Sequence, residues 1–238
     1  MSVVPFTPDT ATEIDTHPQP RPRKTAAVPL GIWLCAPAPG DEHGLPPLIE
    51  GLTRSLVTQA VIAFTTRGNT VAVTGPDAAR IAAVADTVGD RTVLCVDPET
   101  ITVGSRRNQV GGGARTPEPG SVDLLLAAEL PAPWIDTDGQ PYLSWARWLA
   151  PGGVLAVATR NPAGQGRFAD HAGAVVTAAT NAGLTYLQHI IAVLAHVQGD
   201  RLLISSPPAS VTLPADAVHA DAHTDLLVFH TDFGGAAR

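Results

Sequence analysis

Trp145-Ala-Arg-Trp-Leu-Ala-Pro-Gly-Gly-Val-Leu-Ala-Val-Ala-Thr159 reads as the end of a helix, a Pro-Gly-Gly turn and a buried strand. Gly173-Ala-Val-Val-Thr-Ala-Ala-Thr-Asn-Ala-Gly-Leu184 follows as a second helix with a Gly-Leu entry into another strand. Helices and buried strands alternating over short connections place the chain in the α/β class, with helices on both faces of one sheet.

The same pattern extends outward from this stretch. Upstream, Val122–Ala127 is an apolar strand and Pro141–Leu149 a helix carrying Trp145 and Trp148. Thr70–Thr74 and Thr92–Val96 are short buried strands. Between them a helix opens at Pro76 with Ile81, Val84, Ala85 and Val88 on one face, so the three form a βαβ unit, right-handed by the strong preference of such crossovers. Leu48, Leu52, Leu56 and Ala60 recur at four-residue steps, one apolar face of a helix entered at Pro46-Pro47 and running to Phe64. Gly31–Ala36 is a strand or a packed lead-in. Downstream, Ala172–Ala182 is a helix with Asp170 in capping position, and Leu187–Val197 and Leu226–His230 are strands. Asp225 reads as a cap on the last of these.

Composition narrows the function classes. The chain has 238 residues, 45% of them hydrophobic, which suits one sizeable domain. Its net charge of −7 argues against a general polyanion-binding surface. Cys35 and Cys95 sit in apolar runs without metal-ligand spacing, as buried reduced thiols do in a cytosolic protein. No uninterrupted apolar run reaches the length of about 18 residues that suggests a spanning helix. The first residues carry no export signal, so a soluble, cytoplasmic protein is expected. His171, His189, His196, His219, His223 and His230 show no metal-ligand spacing, and no metal is expected. Residues 1–28 are rich in proline and include Arg21-Pro-Arg-Lys24, the composition of a mobile tail. The folded domain is expected over 29–232, with a flexible end at 233–238. Between Val103 and Gly120 lies a long segment with Gly111-Gly-Gly113 and arginines 106, 107 and 115. Such a loop is either solvated or functional, and in the second case Arg106, Arg107 and Arg115 would meet nucleic-acid phosphates.

Three stretches together resemble class I S-adenosylmethionine-dependent methyltransferases, and among them the bacterial amino-methylating DNA methyltransferases. Ala63-Phe-Thr-Thr-Arg-Gly-Asn-Thr-Val-Ala-Val73 is similar to the turn and first strand before the cofactor loop. Ser121-Val-Asp-Leu-Leu-Leu126 is similar to the strand that leads to the catalytic box, followed as in the family by a helix ending in Leu149-Ala-Pro-Gly-Gly153. Gly166–Gly173, Ala182-Gly-Leu184 and Ala222–Phe229 are similar to the closing elements. The resemblance covers residues 30 to 230. It implies a Rossmann-like class I methyltransferase fold, a mostly parallel seven-stranded sheet with helices on both faces.

The resemblance also implies a cofactor, S-adenosylmethionine, and a place for it. The cofactor loop maps onto Thr74-Gly-Pro-Asp77. Gly75 keeps the permissive position, Thr74 stands where the family has an acid, Pro76 removes an amide donor, and Asp77 is the candidate substitute acid. Asp97, ending the second strand, matches the residue that accepts from the ribose hydroxyls; a solvated strand cap is the other reading. The catalytic box maps onto Ala127-Ala-Glu-Leu-Pro-Ala-Pro-Trp134, where the Pro-Pro pair is broken and the small polar residue is missing. Glu129 as acid or base and Trp134 as a stacking face are the candidate catalytic residues.

Two functions follow. In the first, the scaffold is kept and the cofactor and catalytic boxes are degraded, leaving a non-catalytic protein that binds a protein partner or forms a homo-oligomer. In the second, the chain is an active S-adenosylmethionine-dependent methyltransferase acting on DNA or another amine acceptor.

Overall fold

The computed structural model describes residues 28–35, 48, 52–96, 116–128, 141–159, 171–198, 201–204 and 223–232. Asp97, Glu129, Trp134, the arginines 106, 107 and 115, Asp170, and the expected ends 1–27 and 233–238 lie outside the described residues.

Within the described residues, thirteen elements follow the chain: β1 (Leu30–Leu34), α1 (Arg54–Phe64), β2 (Thr70–Thr74), α2 (Ala78–Asp86), β3 (Thr92–Val96), β4 (Val122–Ala128), α3 (Tyr142–Trp148), β5 (Leu149–Thr159), α4 (His171–Asn181), β6 (Thr185–Val193), β7 (Ala195–Gln198), β8 (Arg201–Ile204) and β9 (His223–His230). Seven strands form one sheet in the order β1-β6-β9-β5-β4-β2-β3, and β7 and β8 form a separate antiparallel pair. Every strand of the main sheet runs the same way except β9, which is antiparallel to both β5 and β6. This is the mostly parallel, Rossmann-like seven-stranded α/β sheet with helices on both faces that the sequence led us to expect.

The central strands are apolar runs because both of their faces are covered. Alternate residues go to two cores. Val71 and Val73 of β2, Leu124 and Leu126 of β4, and Ala156 and Ala158 of β5 pack beneath Leu56, Val57, Ala60 and Val61 of α1 and Ile81, Val84 and Ala85 of α2. Ala72, Leu125, Leu155 and Val157 face the other way, against Tyr142, Trp145 and Trp148 of α3 and Val175 and Ala179 of α4. Tyr142 and Trp145 meet edge-on with ring centroids 5.0 Å apart. No helix among the described residues is long and apolar enough to cross a membrane.

Several expected boundaries move, each for a local reason. The first helix begins at Arg54, with Leu52 buried ahead of it, because the Thr53 hydroxyl accepts from Leu56 N at 3.1 Å and caps the helix there. The second begins at Ala78 and not at Pro76, since Asp77 takes a left-handed conformation (φ 60°) as its cap. Leu149-Ala-Pro-Gly-Gly153 is no turn between helix and strand: it is the first part of β5, bulged between the pairings Val122↔Leu149 and Leu124↔Val154. The glycine at 153 is obligatory, because a Cβ there would stand 2.8 Å from the carbonyl oxygens of both Ala150 and Val122. The expected strand over 187–197 breaks at Leu194 into β6 and β7, the second of which leaves the main sheet to pair with β8.

Candidate functional site

The order in which the strands are laid down reverses between β2 and β4. From β2 the chain moves outward through α2 to β3, then crosses back to place β4 on the other side of β2. Ligands of open α/β sheets bind outside the carboxyl ends of strands at such a reversal. Here those ends are Thr74-Gly75 on β2 and Ala128 on β4.

Gly75 has φ 106°, a conformation side chains rarely adopt, and a Cβ at this position would collide with the Ala128 carbonyl oxygen. The close approach of the β2 turn to the end of β4 therefore depends on glycine. The turn that follows commits several of its amides internally. Pro76 has none, Ala78 N donates to Gly75 O (3.2 Å), and Arg80 N and Ile81 N donate to Asp77 O (2.8 and 3.0 Å). The Asp77 carboxylate faces Arg80, Oδ2 to Nη1 3.4 Å, a partly exposed pair that adds little to stability. Thr74 is fully buried, and its hydroxyl has no partner.

That hydroxyl belongs to a polar row along the carboxyl edge. Strand alternation puts Thr74 on the same face as Ala72, and Thr159 on the same face as Leu155 and Val157, the face covered by α3 and α4. Thr159 Oγ1 is likewise buried without a partner, as is Trp145 Nε1 of α3; these are the three such side-chain atoms among the described residues. Directly across from Thr159 in the β5–β9 ladder stands Asp225. Asp225 lies inside β9 and is not a strand cap. Its Oδ1 accepts from His189 Nε2 at 2.9 Å and lies 3.9 Å from His223 Nε2. Burial, and then the Asp225 charge, raise the Tyr186 phenol above its ordinary pKa. Among the described residues no group of three or more His, Cys, Asp or Glu side chains is arranged to hold a metal ion.

Of the residues singled out in the sequence, the structure brings Thr74 and Gly75 to the crevice and turns the Asp77 carboxylate to Arg80. Asp97, Glu129 and Trp134 fall outside the described residues. Thr159, Asp225 and His189 were not expected at a site. Their neighbourhood depends on β9 entering between β5 and β6, which no local pattern announces.

No protein-family model and no curated protein matches the chain. Solved structures do. An S-adenosylmethionine-dependent methyltransferase from Mesorhizobium loti is 13% identical, with 73% of this chain and 97% of that one covered at a TM-score of 0.44. A precorrin-6y C5,15-methyltransferase from Geobacter metallireducens is 11% identical over 80% of this chain and 96% of that one, at 0.47. A methyltransferase from Aquifex aeolicus is 13% identical over 73% and 88%, at 0.42. The fold is read from strand order and direction; likenesses at this level carry nothing about activity.

Proposed function

We propose that this chain is a methyltransferase-like protein that works by binding or assembly, without methyl transfer. The observation that supports this reading is the turn between β2 and α2. A cofactor with an amino-acid tail needs an acid and free amides where the first strand meets its helix. This turn offers a threonine in place of the acid, a proline without an amide, the Ala78, Arg80 and Ile81 amides donated to the carbonyls of Gly75 and Asp77, and an Asp77 carboxylate facing Arg80. The Gly75 approach to β4 fits a bound cofactor; the donor set around it does not.

Calorimetric titration of the full chain with S-adenosylmethionine and S-adenosylhomocysteine tests this. The expected result is no heat of binding up to about 1 mM ligand, a limit of about −4 kcal/mol. Micromolar binding to the folded protein overturns it.

A second reading, an active S-adenosylmethionine-dependent enzyme acting on DNA or another amine acceptor, is favoured by one observation: the buried hydroxyls of Thr74 and Thr159 lack partners at the carboxyl edge. In that reading Asp97 holds the ribose, Glu129 or Trp134 positions the acceptor, and Arg106, Arg107 and Arg115 meet phosphates. Asp97→Ala then abolishes cofactor affinity and leaves the fold intact; unchanged affinity removes Asp97 from the site.

A further inference from the structure

Among the described residues the sheet ends at β1, and the outer side of that strand is almost bare. Pro29 O accepts from His189 N (3.0 Å) and Cys35 N donates to Val193 O (2.8 Å), so the odd-numbered residues turn their backbone groups towards β6. Leu30, Ile32 and Leu34 turn theirs outward. Among the described residues the partner found on that side is Gln59 Nε2, which donates to Leu34 O at 3.0 Å; that carbonyl keeps a second lone pair.

The side chains repeat the same division. Trp33 lies on the α1 face, stacked on Phe64 with centroids 6.0 Å apart. Leu30, Ile32 and Leu34 project from the opposite face and are 62%, 67% and 46% exposed. Natural edge strands are protected by charges, prolines, bulges or a covering element. β1, Leu-Gly-Ile-Trp-Leu, carries neither a charge nor a proline, and its ladder to β6 has no register shift.

We propose that β1 pairs with β1 of a second copy of this chain, antiparallel about a twofold axis at Ile32, joining the two sheets edge to edge. This names the partner in the assembly reading above and rests on it. The register follows from which backbone groups point outward. Ile32 faces Ile32 of the second copy, and Leu30 faces Leu34 in both directions, all three as hydrogen-bonded pairs of an antiparallel ladder. The same residues carry the exposed aliphatic side chains, so each pair that joins the backbones also packs two branched chains together on one face. A copy of β1 read backwards presents the same apolar row, which makes the edge self-complementary. β1 carries no charged residue, so the pairing sets no like charges directly opposite one another even though each chain carries a net −7. Twofold pairing consumes both edges, so growth stops at two.

The test is the mass of the full chain in solution by sedimentation or light scattering, over about 1 to 100 μM. The wild type is expected to approach twice its 24.6 kDa. Ile32→Lys and Ile32→Glu each place like charges across the axis and are expected to run as monomers at every concentration. Because Ile32 is exposed and outside both cores, their melting temperatures stay at the monomer value. A 1:1 mixture of the two variants is expected to recover the doubled mass, which only a residue opposite itself can do. A wild type that is monomeric throughout, or single variants that remain dimeric, overturns the proposal. A mixture that stays monomeric overturns the twofold register. Binding of S-adenosylmethionine reports on the carboxyl ends of β2 and β4, away from β1, so its presence or absence fails separately from this result.

Discussion

Thr74→Val and Thr159→Val test whether the carboxyl edge is held short of its own best stability. Both hydroxyls are buried without partners, and an unsatisfied buried hydroxyl costs about 1–3 kcal/mol. Valine keeps the β-branched shape that strands accommodate and removes the polar atom. Each substitution is therefore expected to stabilise the protein by about 1 kcal/mol, which in a chain of this size raises Tm by about 2–4 °C. The two sites lie two strands apart and two residues along, about 12 Å, so their effects add to within about 0.5 kcal/mol. Thr65→Val is the control. Its buried hydroxyl donates to Val61 O at 2.6 Å and accepts from Arg91 Nε at 3.1 Å, and its loss is expected to destabilise by about 1–2 kcal/mol. The assay is calorimetric or urea unfolding of the full chain. If Thr74→Val and Thr159→Val lower Tm as Thr65→Val does, the hydroxyls are satisfied in solution and the reasoning fails. If the valines stabilise and S-adenosylhomocysteine shifts the Tm of the wild type but not of the variants, the hydroxyls serve a ligand and the second functional reading gains.

Other outcomes follow from features of single residues. Gly75→Ala combines a positive φ with a collision at the Ala128 carbonyl and is expected to cost about 3 kcal/mol or more, read from urea midpoints. Thr53→Ala removes the cap of α1 and is expected to cost about 1 kcal/mol, with helical signal lost in proportion. Burial pushes the Cys35 thiol from 9.0 up to about 11, so the unfolded chain ionises first. The resulting stability is intact below pH 9 and is lost as pH rises from 9 to 11, about 3 kcal/mol in all. Cys35→Ala should flatten that part of the stability profile, and an unchanged profile would dissociate it from Cys35.

The short apolar strands were legible in the sequence. Thr70–Thr74 and Thr92–Val96 match β2 and β3 to the residue, because each is an apolar run with abrupt polar ends, whether buried inside the sheet like β2 or half-buried at its edge like β3. At β5 the Pro151-Gly-Gly153 signal was real, but it marks a bulge in which glycine avoids Val122 and Ala150, a contact made only after β4 has paired. The start of α1 followed the hydroxyl of Thr53 and not the prolines upstream. At the crevice, Gly75 was found because its chemistry is local: a residue type that tolerates positive φ at a strand end. Asp225 reads as a cap in the sequence because nothing in Asp225-Leu-Leu-Val-Phe229 says that Thr159 and His189 will flank it.

The placement of β9 governs when the sheet can form at all. It is the last of the seven strands to be synthesised, yet it fills a central slot between β5 and β6 with six consecutive buried residues. Until it emerges, the nascent chain holds two half-sheets with an unfilled gap, each presenting an open strand edge to other chains. Closing that gap requires contacts between distant parts of the chain, the slow class of folding event. A chain ending before residue 223 is therefore expected to leave the β5 and β6 edges open and to aggregate more readily than the full chain.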